Sequence, residues 1–169
     1  MKLQVIIMFL AIANLSFAQK NFKKHAKENI VINYPDNWRL DVSGQMNTEF
    51  ILFSELEEND TFQENINLLK QDLKGQGFTM ESYVKLSKNQ IKKMVPNGKI
   101  IESKYVNDDQ PHYVIIWTGF VSGNNLKFKQ LFFLENESAY VLTFTTLPET
   151  FDQYIDLGNK ILNSFKLKK

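Results

Sequence analysis

The stretch "TFQENINLLKQDL", residues 61–73, decides the fold, because it can be read as a helix or as a strand. In a helix, Phe62, Ile66, Leu69 and Leu73 fall at i, i+4, i+7 and i+11 and form one apolar stripe. In a strand, Ile66 and Leu68 lie on one face and Leu69 lies on the other with its asparagine neighbours. Periodicity alone favours the helix, so the choice depends on the rest of the chain.

The first eighteen residues are typical of a secretory signal peptide. One charge, Lys2, precedes an apolar run over residues 3–15, and Ser16 and Ala18 place small residues where a signal peptidase reads them. We predict cleavage after Ala18. An uncleaved anchor is the alternative, but the run is short against the roughly 20 apolar residues that a membrane span needs. The protein is therefore expected to be exported, either periplasmic or secreted, and residues 19–29 are expected to be a flexible basic leader.

Composition excludes several classes of function. The chain carries 20 Lys and Arg against 19 Asp and Glu, and loss of Lys2 with the signal leaves the mature chain formally neutral. A neutral chain lacks the basic surplus with which nucleic-acid-binding proteins meet phosphates. Arg39 is the single arginine, which excludes recognition by an arginine cluster. The chain has no cysteine, so the exported domain must be held together without disulfides.

Beyond the leader, the sequence alternates strand and helix signals. Residues 30–34 and 38–42 flank the turn signal Pro35-Asp36-Asn37 and are predicted to pair as a hairpin. A third strand is predicted over residues 49–56. A helix is predicted to begin after the N-cap Thr79 and to end at Pro96-Asn97-Gly98. Further strands are predicted over residues 99–105, 112–121, 126–134 and 139–145, followed by a helix over residues 151–165.

The later strands are apolar on both faces, which predicts a sheet covered on both sides. In residues 112–121, Val114 and Ile116 face one way, while Ile115 and Trp117 face the other. The helix over residues 151–165, with Thr150 and Gln153 as a predicted capping box, covers one face, and the helix that follows Thr79 covers the other. Short connections between strands make the sheet mostly antiparallel. The predicted fold class is α+β, an α/β/α sandwich.

Three segments, in the right order, resemble the PsbP-like domain family. They are "YPDNWRL" at residues 34–40, "FQENINLLKQDL" at residues 62–73, and "AYVLTFTTLPETFDQYIDLGNKILNSFKL" at residues 139–167. The resemblance covers residues 30–167 and implies a single α/β/α domain. The family includes the photosystem II extrinsic subunit, a nuclear-import factor that binds a small GTPase, and exported bacterial proteins without assigned function. It implies a strand over residues 64–72, against the helical periodicity, and it implies a binding or accessory role without a shared catalytic motif.

The sequence predicts no catalytic residue, metal site or cofactor. His25 and His112 are separated by most of the domain, so a histidine-based metal site is not expected. The acidic residues Glu55, Glu57, Glu58 and Asp60 lack the spacing of a calcium loop, and we expect a solvated loop there. An enzyme would require a pair of carboxylates in mutual geometry, which a sequence does not display.

Two functional hypotheses remain. The first is an exported, non-enzymatic binding or accessory module of the cell envelope. It would contact an envelope or secreted protein through a sheet edge or through the loop at residues 122–125, without nucleic acid and without a membrane anchor once the signal is removed. The second is a carrier of a small ligand or lipid in a pocket between sheet and helix. The chain is rich in aromatic residues, which serve mostly as core, and Trp38, Tyr105 and Trp117 are the predicted ligand-binding residues.

Overall fold

The computed structural model describes residues 21–56, 58 and 62–168. The signal peptide predicted for residues 1–18 lies outside them. The elements follow one another as β1 (Phe22–Lys27), β2 (Ile30–Pro35), β3 (Arg39–Asp41), a 3-10 turn (Gln45–Asn47), β4 (Thr48–Phe53), β5 (Asn65–Asp72), α1 (Met80–Met94), β6 (Lys99–Val106), β7 (His112–Val121), β8 (Asn124–Glu135), β9 (Ser138–Thr146), α2 (Phe151–Asn163) and β10 (Lys166–Leu167).

Two antiparallel sheets organise these elements. The larger has seven strands in the order β3-β4-β5-β9-β8-β7-β6, and the smaller has the order β1-β2-β10. Every neighbouring pair of strands is antiparallel. The strands predicted over residues 99–105, 112–121, 126–134 and 139–145 all lie in the larger sheet, as β6 to β9.

The opening stretch is a strand, as the family resemblance implies. β5 pairs with β4 on one side and with β9 on the other, near the middle of the seven-stranded sheet. Ile66 and Leu68 are fully buried on one face, and Leu69 packs on the other. A helix would bury one stripe only, whereas the central strand buries apolar side chains on both faces. The glycines that follow, Gly75 and Gly77, take positive φ angles of 74° and 65°, which end the strand and turn the chain toward α1.

Each face of the large sheet has its own hydrophobic core, as the two-sided apolar pattern predicts. On one face, α2 and the three-stranded sheet pack over Val114, Leu142 and Phe144. On the other face, α1 packs over Ile115 and Trp117 with their neighbours from β8 and β9. This arrangement confirms the predicted α/β/α sandwich.

The two helices differ at their first residues. Thr79 caps α1 as predicted: the amide of Ser82 donates to Thr79 Oγ1 at 3.2 Å, and the Thr79 amide donates to Ser82 Oγ at 2.9 Å. The capping box predicted for α2 is wrong. Thr150 has helical backbone angles and makes no side-chain cap, because its hydroxyl donates to the buried carboxyl of Glu64 at 2.8 Å.

The hairpin predicted for residues 30–42 is also wrong. The turn forms, with the Trp38 amide donating to the Pro35 carbonyl at 3.0 Å. Its two strands then separate into different sheets, since β2 pairs with β1 and β10 while β3 pairs with β4. The local turn signal predicts a reversal of the chain, but the pairing partner is set by contacts distant in sequence.

The flexible leader predicted for residues 19–29 contains a strand instead. β1 pairs with β2 along its whole length, from Phe22 opposite Pro35 to Lys27 opposite Ile30. His25 packs edge-on against Phe50, with 5.8 Å between ring centroids. Pairing satisfies the outer edge of β2, and lysines on β1 keep the new edge polar. The folded domain therefore includes β1, which precedes Ile30, the predicted start of the domain.

Neither helix of the described residues is long and apolar enough to cross a membrane.

Candidate functional site

The three aromatic residues predicted to bind a ligand lie in three different environments. Trp38 is buried in the core beneath α2. Trp117 is buried in the core beneath α1, where it stacks on Phe128 with 3.9 Å between ring centroids. Tyr105 is 54% exposed on β6. The structure therefore does not bring the three into one pocket, and Trp117 alone lies at a cavity between sheet and helix.

That cavity, which we call the α1 groove, is an open depression of about 450 Å³ between α1 and the sheet. None of its lining side chains is charged. Its apolar wall is contributed by both layers: Leu69, Tyr83, Ile91, Met94, Trp117 and Phe132.

Polar side chains of the α1 groove are tied to one another. Trp117 Nε1 donates to Gln130 Oε1 at 2.7 Å, and Gln130 Nε2 donates to Thr143 Oγ1 at 3.1 Å. The Tyr83 hydroxyl donates to Gln71 Oε1 at 2.7 Å, and burial raises the pKa of Tyr83, which keeps it a donor. The bond to Gln130 holds the ring of Trp117, and all of these hydrogen-bonding groups are neutral. Gln71 and Gln130 are not among the residues predicted from the sequence. The signal for them is an amide at a strand position that shares a face with apolar residues such as Leu69 and Phe132.

The second candidate functional surface, after the α1 groove, is the edge strand β6. Among the described strands it pairs with β7 alone, at the end of the seven-stranded sheet. The register shifts between Ile100 and Glu102, and Ile101 and Tyr105 are each 54% exposed. The opposite end of the sheet is β3, which has only three residues. β6 is thus the long free edge of the large sheet in the described part of the chain.

Histidine and carboxylate side chains are the remaining candidates for catalysis or metal binding. No group of three or more His, Asp or Glu side chains within metal-binding reach occurs among the described residues. His112 is mostly buried, and its Nδ1 lies 2.9 Å from the carbonyl of Gln110. Glu57 and Asp60 lie outside the described residues, so the solvated loop expected at residues 55–60 stays a prediction.

An antiparallel sheet with one helix on each face and a small extra sheet beside α2 defines the class of fold. The chain belongs to the family described as PsbP-like protein, whose model matches residues 13–167. This match confirms the family that the sequence motifs resemble.

Solved structures of the same fold come from Synechocystis, Mycobacterium tuberculosis and Saccharomyces cerevisiae. Cyanobacterial PsbP (CyanoP) from Synechocystis sp. PCC 6803 is 13% identical with a TM-score of 0.67, covering 90% of this chain and 95% of that chain. LpqN, involved in cell envelope biogenesis of Mycobacterium tuberculosis, is 13% identical with a TM-score of 0.61, covering 89% and 91%. The Saccharomyces cerevisiae Ran-binding protein Mog1p is 9% identical with a TM-score of 0.61, covering 88% and 96%. At these identities the likeness establishes the fold alone. A comparison with curated protein sequences found no match.

Proposed function

We propose that this protein is an exported, non-enzymatic binding or accessory module of the cell envelope that acts through contact with another protein. Export rests on the signal-peptide pattern of residues 1–18. Relatives of the same fold support the role by analogy: Mog1p is a Ran-binding protein, and LpqN is involved in cell envelope biogenesis. Because function does not follow from a fold, the proposal needs a surface on this chain.

The edge strand β6 is the observation that carries the proposal. An edge strand presents unpaired backbone amides and carbonyls, to which an extended segment of a partner can add as a further strand. The eight residues of β6 are long enough for such pairing, and Tyr105 offers an exposed aromatic anchor of the kind that interfaces favour. Lysine, which discourages strand addition, is denser on the edge of β1, with three in six residues, than on β6, where Lys99 and Lys104 are the two in eight residues.

Cross-linking from two matched positions tests this proposal. A photoreactive aromatic residue replaces Tyr105 on β6 or Val42 beyond β3, which are 54% and 56% exposed at opposite ends of the sheet. We expect a specific envelope protein to cross-link at position 105 and not at position 42. Ile101→Lys together with Tyr105→Lys should reduce its recovery about tenfold or more, the effect of losing about 1.4 kcal/mol of binding free energy, while Val42→Lys should not. Equal cross-linking at both positions, or none, would contradict the proposal.

A second candidate function, a carrier of a small ligand or lipid, is favoured by the α1 groove. Its volume falls within the range of about 300–1,000 Å³ that ligand sites occupy. Because its lining has no charged side chain, the ligand that fits is neutral and largely apolar.

The two tryptophans provide the test of this carrier hypothesis. With 1-decanol as the probe, we expect the emission of Trp117 to shift on binding, because it lines the groove, and that of Trp38 to stay constant, because it lies in the opposite core. The shift should therefore persist in Trp38→Phe and disappear in Trp117→Phe. An unchanged spectrum, or a response that follows Trp38, would exclude the groove as the binding site.

A further inference from the structure

A second cavity lies on the opposite face of the sheet from the α1 groove. This basic cleft, of about 400 Å³, is formed by β6, β7, β8 and the C-terminal end of α2. Its floor is apolar and includes Val114, Leu131 and Phe133. One wall is fixed by Gln110, whose Oε1 accepts a hydrogen bond from the Leu167 amide at 2.9 Å and whose carbonyl lies 2.9 Å from His112 Nδ1. Gln110 thus joins the start of β7 to β10, two segments that lie far apart in the sequence.

Positive charge dominates the cleft. Lys104, Lys129 and Lys166 line it, against the single carboxylate of Asp108. Lys104 already pairs with Glu102 at 2.5 Å. Asp108 lies on the rim, where its Oδ1 is 3.7 Å from His112 Nδ1. The excess positive charge is thus left mainly with Lys129 and Lys166.

Lys129 is the unusual member of this set. It projects from β8 beneath α2, and its Nζ donates to a neutral acceptor, Asn159 Oδ1, at 2.6 Å. None of the ion pairs found among the described residues includes it. Burial lowers the pKa of Lys129, repulsion from Lys104 lowers it further, and Glu102 partly opposes these effects. A partly buried ammonium without a carboxylate partner is stabilised by any anion that enters the cleft.

We propose that the basic cleft binds a small organic carboxylate, whose charged group contacts the ammonium of Lys129 and whose short apolar chain lies on the floor. The charge selects an anion, and the apolar floor favours a carbon chain over a bare inorganic ion. This site is separate from the proposed protein-binding edge, because Tyr105 pairs with Tyr113 on the α1 face of β6 whereas Lys104 lies on the α2 face.

Calorimetric titration with hexanoate tests the site on the full mature chain. We expect saturable binding of hexanoate, and much weaker binding of uncharged 1-hexanol and of inorganic phosphate, which lacks the chain. Lys129→Met should raise the dissociation constant about tenfold or more, because a hydrogen bond to a charged group contributes about 1.5–3 kcal/mol.

Lys127→Met is the matched control. Lys127 lies two residues away on the same face of β8, with its ammonium 3.7 Å from the centre of the Phe151 ring and outside the cleft. The Lys127→Met substitution should change the dissociation constant of hexanoate less than about twofold, because Lys127 shares no partner with the bound carboxylate. Methyl resonances of Val114 and Leu131 in the unsubstituted protein should shift on titration, a readout that does not depend on any variant folding. Absence of saturable binding, equal weakening by both lysine variants, or phosphate binding as tight as hexanoate would overturn the proposal.

Discussion

Replacing Phe144 with alanine is expected to lower the free energy of unfolding by about 3–5 kcal/mol, the range for a large aromatic side chain removed from a core. Phe144 is fully buried on β9. It lies opposite Ile66 on β5 and Lys129 on β8, so it is flanked by strands on both sides. Its ring also packs against Gly158 and Phe151 of α2, so the surrounding elements have little freedom to fill the space it leaves.

Urea unfolding followed by circular dichroism measures this effect. Phe120→Ala is the control, because Phe120 is an exposed phenylalanine on the same sheet. Its loss should change stability by less than about 1 kcal/mol, as is usual for surface positions. Similar losses for the two variants would mean that Phe144 does not anchor α2 to the sheet.

Gly158 on α2 provides an independent check of that contact. A Cβ built on Gly158 would lie 2.7 Å from Cε1 of Phe144, closer than carbon atoms approach. Gly158→Ala should therefore be destabilising by about 1–3 kcal/mol through overpacking, although alanine is the better helix former by about 1 kcal/mol. In a Phe144→Leu background, the cost of Gly158→Ala should shrink. Strict additivity in this double-mutant cycle would contradict direct packing of the two residues.

The sequence predicts the layers of this fold well, because burial on two faces leaves a periodic pattern. Ile115 and Trp117 alternate with Val114 and Ile116, and the two sets occupy opposite cores as the alternation indicates. β5 was the difficult element, since its spacing also fits a helical stripe. Family resemblance resolved it, and pairing with both β4 and β9 explains why the strand forms.

Pairing between distant strands was less predictable. The turn at Pro35 indicated a hairpin, yet β2 pairs with β1 and β10 instead of β3. A turn signal describes four residues, whereas the partner of a strand is chosen by packing across the whole domain. Residues 19–29 are basic and polar and therefore do not predict the strand β1. An edge strand exposed to solvent keeps a polar sequence, so it lacks the apolar pattern of a buried strand.

Cavities were the hardest features to predict. Trp117 was among the residues predicted to bind a ligand, and it lies at the α1 groove. Lys129 carries no distinguishing signal in the sequence, where it is one lysine among many. Its significance comes from α2, which packs over β8 and places Asn159 against its ammonium. Such a site is created by tertiary contacts between residues 30 positions apart, for which no local pattern exists.

The buried carboxyl of Glu64 provides the second large expected effect. Glu64 is fully buried just before β5, and its Oε1 accepts the hydrogen bond of the Thr150 hydroxyl at 2.8 Å. Its backbone carbonyl accepts from the Ser54 amide at 2.8 Å, which joins the end of β4 to the same place. The carboxyl thus ties the first turn of α2 to the sheet, in place of the capping box that the sequence predicted.

Glu64→Leu keeps the approximate size of the side chain and removes the acceptor. We expect the free energy of unfolding to fall by about 1–3 kcal/mol, because the half-buried Thr150 hydroxyl keeps only its longer contact with the Leu147 carbonyl at 3.4 Å. The Ser54 hydroxyl, 3.5 Å from Glu64 Oε2, loses that acceptor as well. Glu55→Leu is the matched control, since Glu55 is exposed and accepts a hydrogen bond from Asn37 at the surface; its effect should stay within about 0.5 kcal/mol. Adding Thr150→Val to Glu64→Leu should cost less than the sum of the single variants, because each single variant already removes the hydrogen bond between the two side chains. Fully additive losses, measured by urea unfolding, would show that the two side chains do not act as a pair.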